Sequence, residues 1–309
     1  MIKLNKILFP TDFSRCANQA LAHAQYLAWQ YHAELHILHV IVPPGGDPRT
    51  LTHYIVDTEE YYAKLKEMAS RQMAADLKTH QTDEVKIKQE YRRGISTAPE
   101  ILRYAQENDI DLIVMGTHGR RGLGHLFLGS VAEEVVRMAR CSVLTIRERK
   151  EPMPVEAIKR ILAPIDFSGH AQRALANATE IAAAYGAQLQ ILHVIEETIL
   201  PAYYIGAGES VYGLVPELEV KAKMALESLL KETKGPKVTA DLHIIEGRAG
   251  RDIVKFAESH GADLIVIATH GLTGIEHLLL GSVTEKVVRM APCPVLTVKT
   301  FGKSLIHTI

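Results

Sequence analysis

Only three cysteines, Cys16, Cys141 and Cys293, occur in 309 residues, and no two stand at CxxC spacing. So sparse and odd a set builds no disulfide framework and fits a reducing compartment. Long apolar runs are missing too. No stretch approaches the roughly 18 apolar residues of a membrane span, and the opening MIKLNKILFPTDFS meets Pro10 and Asp12 before a signal-peptide core can form. Neither sign of charge dominates: Lys+Arg number 35 against Asp+Glu 36, a net charge of -1. No global field then favours nucleic acid or an anionic membrane. These absences predict a cytoplasmic protein with neither nucleic acid nor membrane as partner.

What the chain does have is a long internal repeat. ILFPTDFS (7–14) returns as ILAPIDFS (161–168), and LHILHVIV (35–42) as LQILHVIE (189–196), both 154 residues later. DLIVMGTHGRRGLGHLFLGSVAEEVVRM (111–138) returns as DLIVIATHGLTGIEHLLLGSVTEKVVRM (263–290), with 19 of 28 positions identical. A period this long makes each copy a whole domain. We assign residues 1–148 to the first domain, 149–157, with Pro152 and Pro154, to a linker, and 158–309 to the second.

Within a copy, short apolar runs alternate with amphipathic stretches. The first copy predicts strands at 6–10, 35–42, 85–91, 111–116 and 142–146, with helices near 15–31, 58–79, 99–107 and 131–139. The second predicts strands near 160–164, 189–195, 238–245, 263–268 and 294–298. Leu112, Ile113, Val114 and Met115 are apolar without alternation, as in a strand covered on both faces. The fold class is therefore doubly wound α/β, built twice from parallel βαβ units. In such sheets ligands sit beyond the carboxyl ends of the strands, where strand order reverses.

Three segments converge on that edge. Pro10-Thr11-Asp12-Phe13-Ser14 ends the first strand. Asp12 there either caps the next helix or faces a ligand's ribose, base or metal ion, and Ser14 is a candidate N-cap. His39-Val40-Ile41 ends the second strand, whose backbone could read an adenine edge. Gly116-Thr117-His118-Gly119, followed after nine residues by Gly129-Ser130, ends the fourth. Glycines let backbone N–H groups approach an anion, and a helix N-terminus adds its positive dipole end. Ser130-Val-Ala-Glu133 also reads as a capping box that would satisfy the helix start unaided.

The spacing G-x2-G-x9-G-[ST] after DLIVMG resembles the ATP-binding signature of universal stress proteins, and the P-T-D-F-S start and C-S-V-L-T-I end match that family as well. The resemblance spans nearly all of both repeats. It implies five-stranded parallel sheets of order 3-2-1-4-5, Rossmann-like and of the adenine nucleotide alpha-hydrolase type. It implies ATP, carried with Mg2+, in the crevice between the first and fourth strands, and pairing of the two domains through their last strands as an intramolecular pseudo-dimer. A homodimer of whole chains is a further expectation. Carried over, Pro10, Thr11, Asp12 and the Val40 backbone hold the adenosine end, with Asp12 also the candidate Mg2+ ligand. Met115 and Gly116 line base and ribose. His118, Gly119, Gly129, Ser130 and Val131 hold the phosphates. The second copy offers Asp166, Val194, Ile267, Ala268, Gly271, Gly281, Ser282 and Val283.

Ala268 departs from the signature glycine, and the counterparts of Arg120-Arg121 in the second copy are the uncharged Leu272-Thr273. From sequence, both differences predict tighter binding at the first site. A β-branched residue at 129 is expected to block phosphate with little effect on the fold. The repeated histidines at 39 and 193, 118 and 270, and 125 and 277 lack zinc-like spacing and read as inherited pairs. Cys141 and Cys293 read as small buried hydrophobes. The loops 43–57 and 197–216 diverge between copies, where separate partners would be met. The leading function is an ATP-binding stress or regulatory protein using nucleotide occupancy as a signal. Alternatives are a slow ATPase or phosphotransferase, which lacks a P-loop lysine here, and a scaffold for another small molecule or a protein.

Overall fold

The computed structural model describes residues 2–42, 59–78, 84–118, 128–151, 158–196, 217–269, 280–299 and 301–306. The chain divides into two compact units, Lys3–Glu156 and Ala157–Ile309, with Met1–Ile2 grouped with the second. Ile2 makes an antiparallel bridge to Ile306.

The first unit runs β1 (Lys6–Pro10), α1 (Arg15–Tyr31), β2 (Glu34–Ile41), α2 (Glu59–Lys78), β3 (Ile87–Arg93), α3 (Thr97–Glu107), β4 (Leu112–Gly116), α4 (Ser130–Met138) and β5 (Ser142–Ile146). The second repeats it as β6 (Arg160–Pro164), α5 (Gly169–Tyr185), β7 (Gln188–Glu196), α6 (Glu217–Glu232), β8 (Ala240–Gly247), α7 (Ala249–Ser259), β9 (Leu264–Ala268), α8 (Ser282–Met290) and β10 (Val295–Val298). Within the first unit the strand order is β3-β2-β1-β4-β5, and within the second β8-β7-β6-β9-β10. All these neighbours pair in parallel. Both units thus have the order 3-2-1-4-5, and the reversal falls between the first and fourth strands.

Successive residues Ile7, Leu8 and Phe9 of β1 are all at most 1% exposed, which requires helices on both faces of the sheet. Each such side chain contributes about 1.5–3 kcal/mol on burial. The outer strand β3, IKQEYRR, is half-exposed and polar. Its bounds follow pairing with β2, where Leu35 meets Ile87. The strand therefore begins two residues later than the sequence pattern predicts, and β8 does likewise, with Leu189 opposite Ala240.

The amino ends of the central strands are clasped by one carboxylate per unit. Asp111 Oδ2 accepts from Asn5 N (2.7 Å) and Lys6 N (2.8 Å). Asp263 Oδ2 accepts from Lys159 N (3.0 Å) and Arg160 N (2.9 Å). These are the aspartates that open both DLIV motifs, and they lie at the end of the sheet opposite the crevice. Residues Arg149 and Lys150 are fastened to α1. Gln19 donates to Arg149 O (2.7 Å) and accepts from Arg149 N (2.9 Å), while Arg15 donates to Lys150 O (3.0 Å).

Candidate functional site

The PTDFS segment makes a tight turn at the carboxyl end of β1. Phe13 sits in the left-handed region at φ 61°, and its counterpart Phe167 at φ 62°. A bulky residue in that region costs about 1–3 kcal/mol and persists only where its surroundings hold it. Here Phe13 N donates to Thr11 Oγ1 (3.0 Å), Ser14 N to Asp12 Oδ1 (3.0 Å), and Phe13 packs on the His39 ring at 4.5 Å. In the second unit Ser168 N and Oγ both donate to Asp166 Oδ1 (3.0 and 2.6 Å), and Phe167 packs on His193 at 4.6 Å. The helix cap is Ser14, whose hydroxyl accepts from Ala17 N at 3.2 Å, and equally Ser168, from Ala171 N at 3.1 Å. Asp12 therefore orders the turn rather than capping the helix itself.

Backbone parity places Val40 at the crevice. Glu34 N donates to Asn5 O, and Thr11 N donates to Leu38 O at 2.9 Å, so residues 34, 36 and 38 bond toward β1. Val40, of the same parity, points its N–H and C=O to that side just beyond the last rung. Neither makes a hydrogen bond among the described residues. In the second unit Ile165 N donates to Leu192 O (2.8 Å), and Val194 occupies the same place.

At the end of β4, Gly116 is required by a close approach. A Cβ there would meet Cys16 Sγ at 2.8 Å, Cys16 C at 3.2 Å and Ala17 N at 3.3 Å. That direction is filled by the start of α1. Cys16 itself is buried, donates its S–H to Ile146 O (3.3 Å), and its thiol pKa is raised by burial. The residue in its place in the second unit is His170, and the glycine is Ala268, which is 6% exposed. In the first unit a cysteine sulfur stands where a methyl on residue 116 would go, and the direction a Cβ takes at this position is toward the start of α1.

Past β4 the chain leaves and returns on itself: Thr117 N donates to Ile146 O (2.9 Å), and Gly129 N donates to Thr117 O (2.8 Å). Thr269 N to Val298 O (3.3 Å) and Gly281 N to Thr269 O (3.0 Å) repeat the pattern. Thr117 Oγ1 lies 2.9 Å from His118 Nδ1. Helix α4 then starts on Gly129 (φ -64°, ψ 139°) and α8 on Gly281 (φ -58°, ψ 135°), neither with a side-chain cap. Ser130 and Ser282 are the first helical residues, so the capping box read from SVAE does not form. The N–H groups of Ser130, Val131 and Ala132 lie beyond the reach of any intrahelical carbonyl and meet no capping side chain among the described residues. A Cβ on Gly129 would meet Thr117 O at 3.0 Å. A β-branched residue at 129 therefore requires Thr117 O to give by a few tenths of an ångström.

The structure gathers Pro10, Thr11, Asp12, Val40, Met115, Gly116, His118, Gly129, Ser130 and Val131 around the carboxyl ends of β1 and β4. Asp166, Val194, Ile267, Ala268, Gly281, Ser282 and Val283 take the same places in the second unit. Gly119, Gly271, Arg120, Arg121, Leu272, Thr273, His125, His270 and His277 lie outside the described residues, as do loops 43–57 and 197–216. Cys141 and Cys293 are each buried at 3% exposure. No group of three or more metal-ligating side chains occurs among the described residues, nor any helix long and apolar enough to cross a membrane. Sequence reasoning passed over Cys16, and it named Thr11 and His39 at this edge without a role for the threonine hydroxyl or the histidine ring. The only signal for the last was LHV, repeated at 38–40 and 192–194.

Two doubly wound α/β domains, each with a glycine-started helix and a strand end flanking the switch point, define a protein of the doubly wound α/β class. Comparison with known proteins narrows the class. The Universal stress protein family matches residues 3–147 and again 157–299, and the chain belongs to that family. A universal stress protein of Methanocaldococcus jannaschii is 37% identical over 142 residues, 46% of this chain and 82% of the relative. One from Mycobacterium tuberculosis is 27% identical over 263 residues, 83% of this chain and 82% of its own. The crystal structure of a universal stress protein from Archaeoglobus fulgidus shares the fold, with a TM-score of 0.64 and 23% identity, covering 96% of this chain and 98% of that one.

Proposed function

We propose that this protein is a stress-response regulator that binds an adenine nucleotide, ATP in the first instance, in each of its two crevices and uses occupancy as its signal. The observation that carries this reading is the uncapped start of α4, and of α8, on a glycine whose own N–H is already spent on the preceding turn. Three backbone donors and a dipole end there suit a phosphate. The serine hydroxyls of Ser130 and Ser282 add a donor each. Val40 and Val194 supply a donor and an acceptor at the other end of the crevice, as a base edge requires.

ATP would bring Mg2+ on its phosphate oxygens, the ion keeping several waters. Asp12 and Asp166, at the carboxyl ends of β1 and β6, are the carboxylates that would join that shell. Each already accepts a backbone N–H, so each enters as a preoriented single ligand. The two domains, 1–148 and 158–309, act in this reading as an intramolecular pair, supported by the tandem match to one family.

The test uses Ser130→Glu with Ser282→Glu. Both serines are exposed first-turn residues. A carboxylate there favours the helix dipole by about 0.3–1 kcal/mol, yet repels a bound phosphate. Titration calorimetry is expected to show ATP affinity falling about tenfold or more with the melting temperature unchanged or raised. Mass spectrometry of the purified wild-type protein should find an adenine nucleotide. Equal ATP affinity in the folded double variant would overturn the site.

A further inference from the structure

In a parallel ladder with the observed register, the rung after Thr11 N to Leu38 O would join Val40 N to Thr11 O and Phe13 N to Val40 O. Neither bond forms. Thr11 O is taken by His39 Nδ1 at 2.8 Å, and Phe13 N by Thr11 Oγ1 at 3.0 Å. A carbonyl can only accept, so Nδ1 of His39 carries the proton in this bond. The second unit repeats the key step with a different neighbour: His193 Nδ1 holds Ile165 O at 2.7 Å, although isoleucine has no hydroxyl to offer Phe167 N. In both units the same ring also packs on the phenylalanine held at positive φ.

We infer that His39 and His193 are positioning residues that stop the β1–β2 and β6–β7 ladders one rung early, keeping the N–H and C=O of Val40 and Val194 open to a ligand. The inference rests on the nucleotide reading for what that ligand is, a planar base with an adjacent donor and acceptor. The ladder geometry stands apart from it. The left-handed phenylalanine is the second, independent sign. A bulky residue is held in a disfavoured conformation twice, against the same histidine, where relaxing it would let the strand continue.

The experiment compares the full chain with His39→Leu/His193→Leu and with His39→Asn/His193→Asn. The asparagine amide can reach where Nδ1 stood and keep the donor, and leucine cannot. Two probes are titrated, ATP and inorganic tripolyphosphate. The leucine pair is expected to lose about tenfold or more in ATP affinity, as two unmade hydrogen bonds imply, with tripolyphosphate unaffected and the asparagine pair restored toward wild type. Amide hydrogen exchange at Val40 and Val194 is read without ligand. It should be fast in wild type and slowed in the leucine pair, where the freed carbonyl of residue 11 or 165 closes the rung. If wild type binds ATP and the folded leucine pair binds it equally, the inference is overturned. It is overturned too if the two valine amides exchange alike in wild type and the leucine pair. Wild type that fails to bind ATP removes the nucleotide reading and leaves the exchange result to decide the ladder.

Discussion

Alanine at position 116 is the substitution that separates packing from ligand contact at the fourth strand. Its Cβ would stand 2.8 Å from Cys16 Sγ and 3.2 and 3.3 Å from backbone atoms of Cys16 and Ala17. The sulfur can turn aside only a little, because it is buried and bonded to Ile146 O. The backbone atoms open a helix that packs on β4. Overpacking of this kind costs about 1–3 kcal/mol, offset by about 0.4–1 kcal/mol from the stiffer unfolded chain. A net loss of roughly 1–2 kcal/mol is expected. The single tryptophan, Trp29, belongs to α1, so its fluorescence in a urea titration reports the first domain alone. Adding Cys16→Ala removes the 2.8 Å contact and leaves the backbone ones. The double variant should then be more stable than the sum of the single effects by about 0.5–1.5 kcal/mol. ATP affinity of folded Gly116→Ala should stay within about twofold of wild type, since the methyl points into α1 (a twofold change is about 0.4 kcal/mol). Strict additivity of the two substitutions would refute the packing argument. A tenfold loss of ATP affinity with the fold intact would show the methyl facing the ligand, and would make Ala268 a weakness of the second site.

Two further predictions use the same fluorescence readout. Asp111→Ala removes two charge-assisted bonds to the amino ends of β1, at 2.7 and 2.8 Å, and should cost roughly 3–5 kcal/mol while leaving the affinity of the folded fraction for ATP unchanged, because the clasp lies at the far end of the sheet. His23 has its pKa lowered by burial to about 4. The unfolded chain therefore takes up the proton first as pH falls, and stability that is full above about pH 6.5 is lost progressively toward pH 4. Near pH 5.5 the loss is at most about 1.4 kcal/mol. His23→Asn, the residue found at the equivalent position 177, should flatten that part of the profile, and an unchanged slope would count against burial as its cause. His36, lowered by burial in the same domain, adds slope of the same sign.

The repeat, the alternation of buried runs with amphipathic stretches, and the glycine-serine spacing after DLIV were enough to specify two doubly wound domains and the edge proposed here for a ligand. Those features are local or periodic, and β1, β5, β6 and α1 run over the residues the pattern predicts. The outer strands β3 and β8 slid by two residues because half-exposed polar strands carry little periodic signal, and the pairing with β2 and β7 sets their ends. Other points belonged to tertiary structure alone. Whether Ser130 capped α4 depended on where the helix began, and it begins on Gly129. Which way a side chain at the end of β4 would point depended on the direction of a Cβ, and in the first domain that direction is occupied by Cys16, a hundred residues away in sequence. Whether His39 was an inherited bystander depended on a carbonyl brought to it from across the sheet, at Thr11. A linear pattern records which residue types recur and at what interval. It does not record which atoms from distant segments compete for the same carbonyl or the same few cubic ångströms, and at this crevice that competition decides what is left open for a ligand.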